Sequence, residues 1–299
     1  MFEKILVPLD GSELSEQALP LAEELAGRLG SKIVVLQVSE STESGLYHMQ
    51  ELYINQIAQR VTNMVKKYRA DAQVEPVIII GSAAEEIIKY IDRNDIGLVV
   101  MGTHGRSGIT RWAMGSVASK VVRGTKTPVL MIRTKGTKPP EKSRLLSRVL
   151  VPLDGSEVGE AALPFVTELA SKLDMEVILF QMVAMAYHVY SSGEIVSQVP
   201  YTEQEMEPIK RSVKAYLDKV AERLAVRGIK VGTQTKTGAA AEGIIRAEEE
   251  LEVDLVAMST HGRSGVSRWV FGSVAARVLQ QGTKPLLLVR AAGAKVDAA

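Results

Sequence analysis

Val99-Val100-Met101-Gly102-Thr103-His104-Gly105-Arg106-Ser107-Gly108 runs on through Arg111-Trp112 to Gly115-Ser116-Val117, and the chain carries this stretch twice. The second copy is Val256-Ala257-Met258-Ser259-Thr260-His261-Gly262-Arg263-Ser264-Gly265, continuing through Arg268-Trp269 to Gly272-Ser273-Val274. In each copy an apolar run stops at a loop rich in glycine and hydroxyl groups. A Gly-Ser pair then opens an apolar helical pattern. A strand, a phosphate-cradling loop and a helix N-terminus leave this trace. Glycine lets backbone N–H groups close on an anion with no Cβ in the way. Gly102, Gly105 and Gly108 suit that task, Gly115-Ser116 sets a helix N-terminus and a hydroxyl on the same anion, and Arg106 adds charge-assisted bonds.

Upstream, Lys4 to Leu9 is apolar and β-prone, as a strand buried on both faces of a parallel sheet is. It ends at Asp10-Gly11-Ser12-Glu13, a turn that also offers a helix cap. Ala18, Leu21, Ala22, Leu25, Ala26 and Leu29 follow at helical spacing, closed by Gly30-Ser31. Residues 32–38 read as a second strand, 39–48 as a loop, and Ile54, Ile57, Val61, Met64, Val65 and Tyr68 as one face of a helix. Val74 to Ile80 is a third strand, placed at an edge by Pro76. A helix around Ala84 to Ile91, a fourth strand from Ile96 to Met101, a helix from about Gly115 to Arg123 and a fifth strand from Pro128 to Arg133 complete the unit. Residues 134–147 are polar and proline-bearing, hence a linker.

The chain then restarts. Arg148 to Glu157 repeats Lys4 to Glu13 at an offset of 144, whereas Gly262 matches Gly105 at 157, a surplus of 13 residues assigned to a loop at about 185–202. A period this long means two whole domains: 1–134, a linker over 135–147, and 148–291. Each half alternates β and α five times, which implies an α/β fold with a parallel sheet and helices on both faces. In such sheets ligands bind beyond the carboxyl ends of the strands, where strand order reverses. Asp10 and Asp154 after the first strand and the glycine loops after the fourth would line one crevice per half. An aspartate there serves the nucleoside end of a ligand or holds Mg²⁺ through water.

Composition excludes several classes. A formal net charge of +1 gives no drive toward nucleic acid or acidic membranes, and no cysteine means no disulfide or thiolate chemistry. No apolar run reaches the ~18 residues of a membrane span, and the start lacks a secretory pattern, so a cytoplasmic location is expected. There is no P-loop and no Gly-x-Gly-x-x-Gly. His104 and His261 have no nucleophile beside them in sequence and read as loop-structuring rather than as general bases. Trp112 and Trp269 read as packing or interface anchors. Lys135, Lys138, Lys142, Arg144 and Arg148 make a basic, solvated linker.

Gly102, Gly105, Gly115 and Ser116, spaced as Gly, two residues, Gly, nine residues, Gly, Ser, with Val7-Pro8-Leu9-Asp10 upstream, resemble the nucleotide signature of the universal stress proteins in their tandem two-domain form. The likeness covers nearly the whole chain. It implies sheet order 3-2-1-4-5, ATP in the crevice, a role in stress tolerance, and at most slow hydrolysis; ADP or AMP in its place, and Mg²⁺ with the phosphates, stay open. By matching position, the adenine end would meet Pro8, Asp10 and Val38, and the ribose and phosphates Gly102, Thr103, Gly105, Arg106, Gly115, Ser116 and Val117. The second half offers Pro152, Asp154 and Met182, then Thr260, Gly262, Arg263, Gly272, Ser273 and Val274. Ser259 stands where the family has its first glycine, so weaker binding is expected there. The family's dimerisation through the fifth strand implies that Val129–Ile132 and Leu286–Val289 pair antiparallel within this chain as a pseudo-twofold dimer, with a further homodimer open. The leading expectation is a nucleotide-dependent regulator that acts through a conformational change or a protein partner. The alternatives are a slow ATPase or phosphotransferase, and a nucleotide-independent scaffold.

Overall fold

The computed structural model describes residues 1–40, 43–105, 114–133, 145–192, 195–262 and 271–291. The first half runs β1 (Lys4–Leu9), α1 (Glu13–Glu16), α2 (Leu19–Leu29), β2 (Lys32–Ser39), α3 (Ser44–Val65), β3 (Val74–Ile80), α4 (Ala83–Arg93), β4 (Leu98–Gly102), α5 (Ser116–Gly124) and β5 (Val129–Ile132). The second runs β6 (Arg148–Pro152), a 3₁₀ turn at Gly159–Ala162, α6 (Leu163–Leu173), β7 (Glu176–Val183), β8 (Tyr187–Ser192), β9 (Ile195–Pro200), α7 (Glu203–Ala225), β10 (Val231–Thr237), α8 (Ala240–Glu250), β11 (Leu255–Ser259), α9 (Ser273–Gln281) and β12 (Leu286–Val289).

Within each half the five strands of the main sheet are parallel and ordered 3-2-1-4-5. The two fifth strands then pair antiparallel, Leu287 opposite Leu130, and fuse the halves into one ten-stranded sheet. Pairing consumes two apolar edges that would otherwise template association. β3, with Pro76, is an outer edge as expected. One apolar layer, including Ile5, Val7, Leu25 and Val35, packs on one sheet face, and another, including Leu6, Leu36, Val99 and Val121, on the other. Each layer crosses from one half to the other. The helices begin and end where their sequence requires: Ser12 caps α1 through Ser15 N–H, and α2 carries a proline in its first turn and stops at Gly30 with φ of 75°.

Two expected loops are otherwise. α3 starts at Ser44, so the segment expected to be a loop over 39–48 is mostly strand end and helix. Its first turns expose Leu46, Met49 and Leu52, and no buried stripe marks them as helical. The segment at 185–202 is a hairpin, β8 paired with β9 from Tyr187–Pro200 to Ser192–Ile195. The repeat offset is 144 at Glu16/Glu160, 163 at Tyr53/Tyr216 and 157 at Val74/Val231, so the hairpin region gains 19 residues and the turn after α7 loses 6. The Tyr53–Glu16 bond (3.0 Å) and the Tyr216–Glu160 bond (2.8 Å) fix that alignment.

Further contacts join the halves. Glu24, 1% exposed, accepts from Arg28 (2.8 Å) and from Leu145 N–H (2.7 Å) ahead of β6. At the matching place Glu168 accepts from Lys172 (2.9 Å) and the Met1 ammonium (3.1 Å), and Phe2 packs on Phe165. Arg133 of the first half donates to Lys284 O (2.6 Å) and Val278 O (2.7 Å) of the second, and Arg290 donates to Arg123 O (2.6 Å) in return.

Glu23, 6% exposed on α2, sits at the place that Thr167 takes in α6. Burial raises its pKa from 4.5 to about 7, against the pull of Arg60 and Lys67. A raised carboxyl binds its proton more tightly in the fold than in the unfolded chain, so its cost is absent below pH 4.5, grows as pH rises and is complete above about 7. Glu23→Gln is therefore expected to stabilise the chain by about 2 kcal/mol at pH 8 and by little at pH 4. Urea unfolding at the two pH values checks this, and an equal gain at both would count against it.

Candidate functional site

Both glycine loops open onto a cavity at the carboxyl ends of strands one and four of their half. The first cavity, about 550 Å³, is lined by every described residue expected there: Pro8, Asp10 and Val38 at one side, Gly102, Thr103 and Gly105 from the loop, and Gly115, Ser116 and Val117 from the start of α5. The second, about 280 Å³, is lined likewise by Pro152, Asp154 and Met182, by Thr260 and Gly262, and by Gly272, Ser273 and Val274. Arg106, Arg263, Gly108, Gly265, both tryptophans and residues 134–144 lie outside the described residues.

The local chemistry follows from a few contacts repeated in each half. Asp10 Oδ1 accepts from Ser12 N–H (3.0 Å) and Ser12 Oγ (2.6 Å), and Asp154 Oδ1 accepts from Ser156 N–H and Oγ at the same distances. That turn holds the carboxylate at the mouth of strand one. Across the crevice lies the loop glycine: a Cβ on Gly105 would fall 2.0 Å from Asp10 Oδ2, and one on Gly262 2.4 Å from Asp154 Oδ2. Only glycine lets the loop lie this close to the aspartate. The loop's neck is closed by Gly115 N–H on Thr103 O and by Gly272 N–H on Thr260 O, each 2.9 Å. α5 and α9 begin at these glycines without a side-chain cap, so the N–H groups of their first turns face the cavity side with the positive end of the helix dipole. His104 Nδ1 meets Thr103 Oγ1 at 3.1 Å and His261 Nδ1 meets Thr260 Oγ1 at 2.9 Å, as a loop-structuring role requires.

The sites differ in detail. Ser259, 4% exposed, lines the second cavity and accepts from His261 N–H (3.4 Å). Met182 replaces Val38 and lies against α8 where Gly243 leaves room; a Cβ there would meet its sulfur at 2.3 Å. The first cavity extends instead toward α3, where Leu46 and Gln50 join its lining. Sequence reasoning missed these two, along with Gln37 and the α4 and α8 residues Ala83, Ile87, Ala240 and Ile244. Gln37 and Gln181 did leave a signal: each is a lone amide in an otherwise apolar strand, at the same place in both halves.

The universal stress protein family model matches residues 1–133 and again 146–290. The chain belongs to the universal stress protein family. It is similar along its length to the universal stress protein Slr1230 of Synechocystis, 24% identical over 96% of this chain and all of that one. The universal stress protein YxiE of Bacillus subtilis is 30% identical over 44% of this chain and 100% of its own length. Among solved structures, a universal stress protein from Archaeoglobus fulgidus shares the fold with a TM-score of 0.71, 20% identity and coverage of 96% of this chain and 98% of that one. Two family units in one chain account for the internal repeat. Among the described residues no helix is long and apolar enough to cross a membrane.

Proposed function

We propose that this chain is an adenine-nucleotide-binding stress-response protein of the cytoplasm, one that acts as a nucleotide-dependent regulator through a conformational change or a protein partner. The observation that carries this reading is the convergence, in both halves, of a carboxylate, a glycine loop and an uncapped helix N-terminus on one cavity. Polyphosphate suits the loop and the helix end, where backbone N–H groups and the dipole favour negative charge. Pro8, Asp10 and Val38, or Pro152, Asp154 and Met182, would then face the nucleoside end. Among the described residues no group of three or more acidic or histidine side chains gathers to hold a metal. Mg²⁺ would arrive with the phosphates, and Asp10 in one cavity and Asp154 in the other offer a carboxylate to its water shell.

The first site is the stronger one in this reading, since the second is smaller and carries Ser259. Ser259→Gly is expected to tighten the second site by up to about tenfold, the equivalent of about 1.4 kcal/mol. Equal affinities at the two sites of the unaltered chain would overturn this ranking. The test of the function is to denature the purified chain, identify the released nucleotide by mass and measure its ratio to protein. Between one and two adenine nucleotides per chain supports the proposal. Mostly ADP, with turnover that disappears in Asp10→Ala, would move the reading to a slow hydrolase. No nucleotide, and no binding of added Mg-ATP, would overturn it.

A further inference from the structure

The first cavity has Gln37, Glu40, Leu46 and Gln50 in its lining, four residues whose counterparts do not line the second. Gln37 on β2 is 2% exposed and Gln50 on α3 is 8% exposed; both line this cavity. Each has a side-chain carbonyl oxygen with no hydrogen-bond partner. A buried acceptor left unpaired is a standing cost to a folded chain, and native proteins keep few of them. Here two residues that line one cavity carry such an acceptor. The second half has no such pair. Gln181 stands at the place of Gln37 and its oxygen is also unpaired, but it does not line the second cavity, and α7 carries Val213 where α3 carries Gln50.

We propose that Gln37 and Gln50 form a donor-reading subsite in the first cavity, where their carbonyl oxygens accept hydrogen bonds from N–H or O–H groups at the nucleoside end of the bound nucleotide. The proposal rests on the nucleotide reading above and gives the first half a selectivity that the second lacks. Phosphates do not belong at this end: carbonyl oxygens and the nearby Glu40 carboxylate repel them, and the glycine loop and α5 serve them elsewhere in the cavity. An adenine nucleotide carries donors of two kinds at its other end, the 6-amino group and the ribose hydroxyls. A site built to bond a donor rejects the analogue that lacks it, because its own acceptors are then buried unpaired.

The experiment titrates the full chain and its Gln37→Met and Gln50→Met variants with ATP, ITP and 2′- and 3′-deoxy-ATP by equilibrium dialysis, which resolves two sites. Each nucleotide-free protein is also melted. In the unaltered chain the first site is expected to bind ATP about 5- to 30-fold tighter than one of the analogues: ITP if the amine is read, a deoxy form if a hydroxyl is. Each methionine variant should lose that discrimination and bind ATP about 5- to 30-fold more weakly at the first site only. Its nucleotide-free melting temperature should hold or rise, since an unpaired acceptor has been removed. Either variant suffices if the other folds poorly. Melting temperatures that fall while the ATP-to-analogue ratios stay at the unaltered values would make the glutamines structural and overturn the proposal. No binding of any nucleotide by the unaltered chain would overturn the nucleotide reading itself, an outcome distinct from a lost glutamine effect.

Discussion

Replacing Glu248 by alanine is expected to destabilise the chain by about 3–5 kcal/mol, the range seen when one partner of a buried charged network is removed. Glu248 is fully buried, and its Oε2 accepts from Thr283 N–H (2.5 Å), Thr283 Oγ1 (3.0 Å) and Lys284 N–H (3.1 Å). Those bonds fix the turn that receives Arg133 of the other half, which donates to Lys284 O, Leu279 O and Val278 O. Burial lowers the Arg133 pKa and Glu248 opposes that shift, so the carboxylate is the counter-charge for this guanidinium. Without it, three donors and a buried cation lose their partner together. Gly282 separates the two charges, and a Cβ there would lie 2.4 Å from Glu248 Oε1 and 2.5 Å from Arg133 Nη2. Gly282→Ala is accordingly expected to cost about 1–3 kcal/mol by overpacking. Urea unfolding of both variants decides the matter; a loss under about 1 kcal/mol in Glu248→Ala would show that the network carries little of the junction.

Gly105→Ala is expected to lower nucleotide affinity at the first site about 100-fold, or about 2.7 kcal/mol, and to leave the second site unchanged. The new methyl group falls where Asp10 Oδ2 stands, and Asp10 cannot swing away without breaking its bonds to Ser12. Either the carboxylate or the loop must move, and both belong to the proposed site. Gly262→Ala should do the same to the second site through Asp154. Equilibrium dialysis with ATP, counting sites, checks the pair. A variant that keeps both sites at full affinity would place the nucleotide away from the Asp–Gly contact.

The repeat and the glycine signature made the fold legible, because both are local: a buried strand is a run of β-branched residues, and a tight loop needs glycine where it needs it. The pairing of Val129–Ile132 with Leu286–Val289 was legible once the family resemblance was stated, since two apolar fifth strands in one chain need a common cover. What stayed hidden depends on residues with no periodic partner. The start of α3 turns Leu46, Met49 and Leu52 outward and shows no core stripe. The hairpin lies where a polar, glycine-bearing stretch suggests a loop, although Tyr187-His188-Val189-Tyr190 and Ile195-Val196 are β-prone runs that favour strands. The cavity's extension toward Gln37 and Gln50 could not be seen because it is made by α3 folding back over β2, a contact unmarked by any motif.

The antiparallel junction at β5 and β12 has one more consequence. In the ten-stranded sheet the strands of one half run against those of the other, so the carboxyl ends, and with them the two cavities, face opposite ends of the sheet. A dimer assembled from two identical chains would have to carry every alteration in both copies and would come apart on dilution. Here the covalent link makes the local concentration of one half about the other independent of how much protein is present. It also releases each half from matching its twin: one keeps Val38 and a roomy cavity, while the other takes Met182, Ser259 and a hairpin of its own.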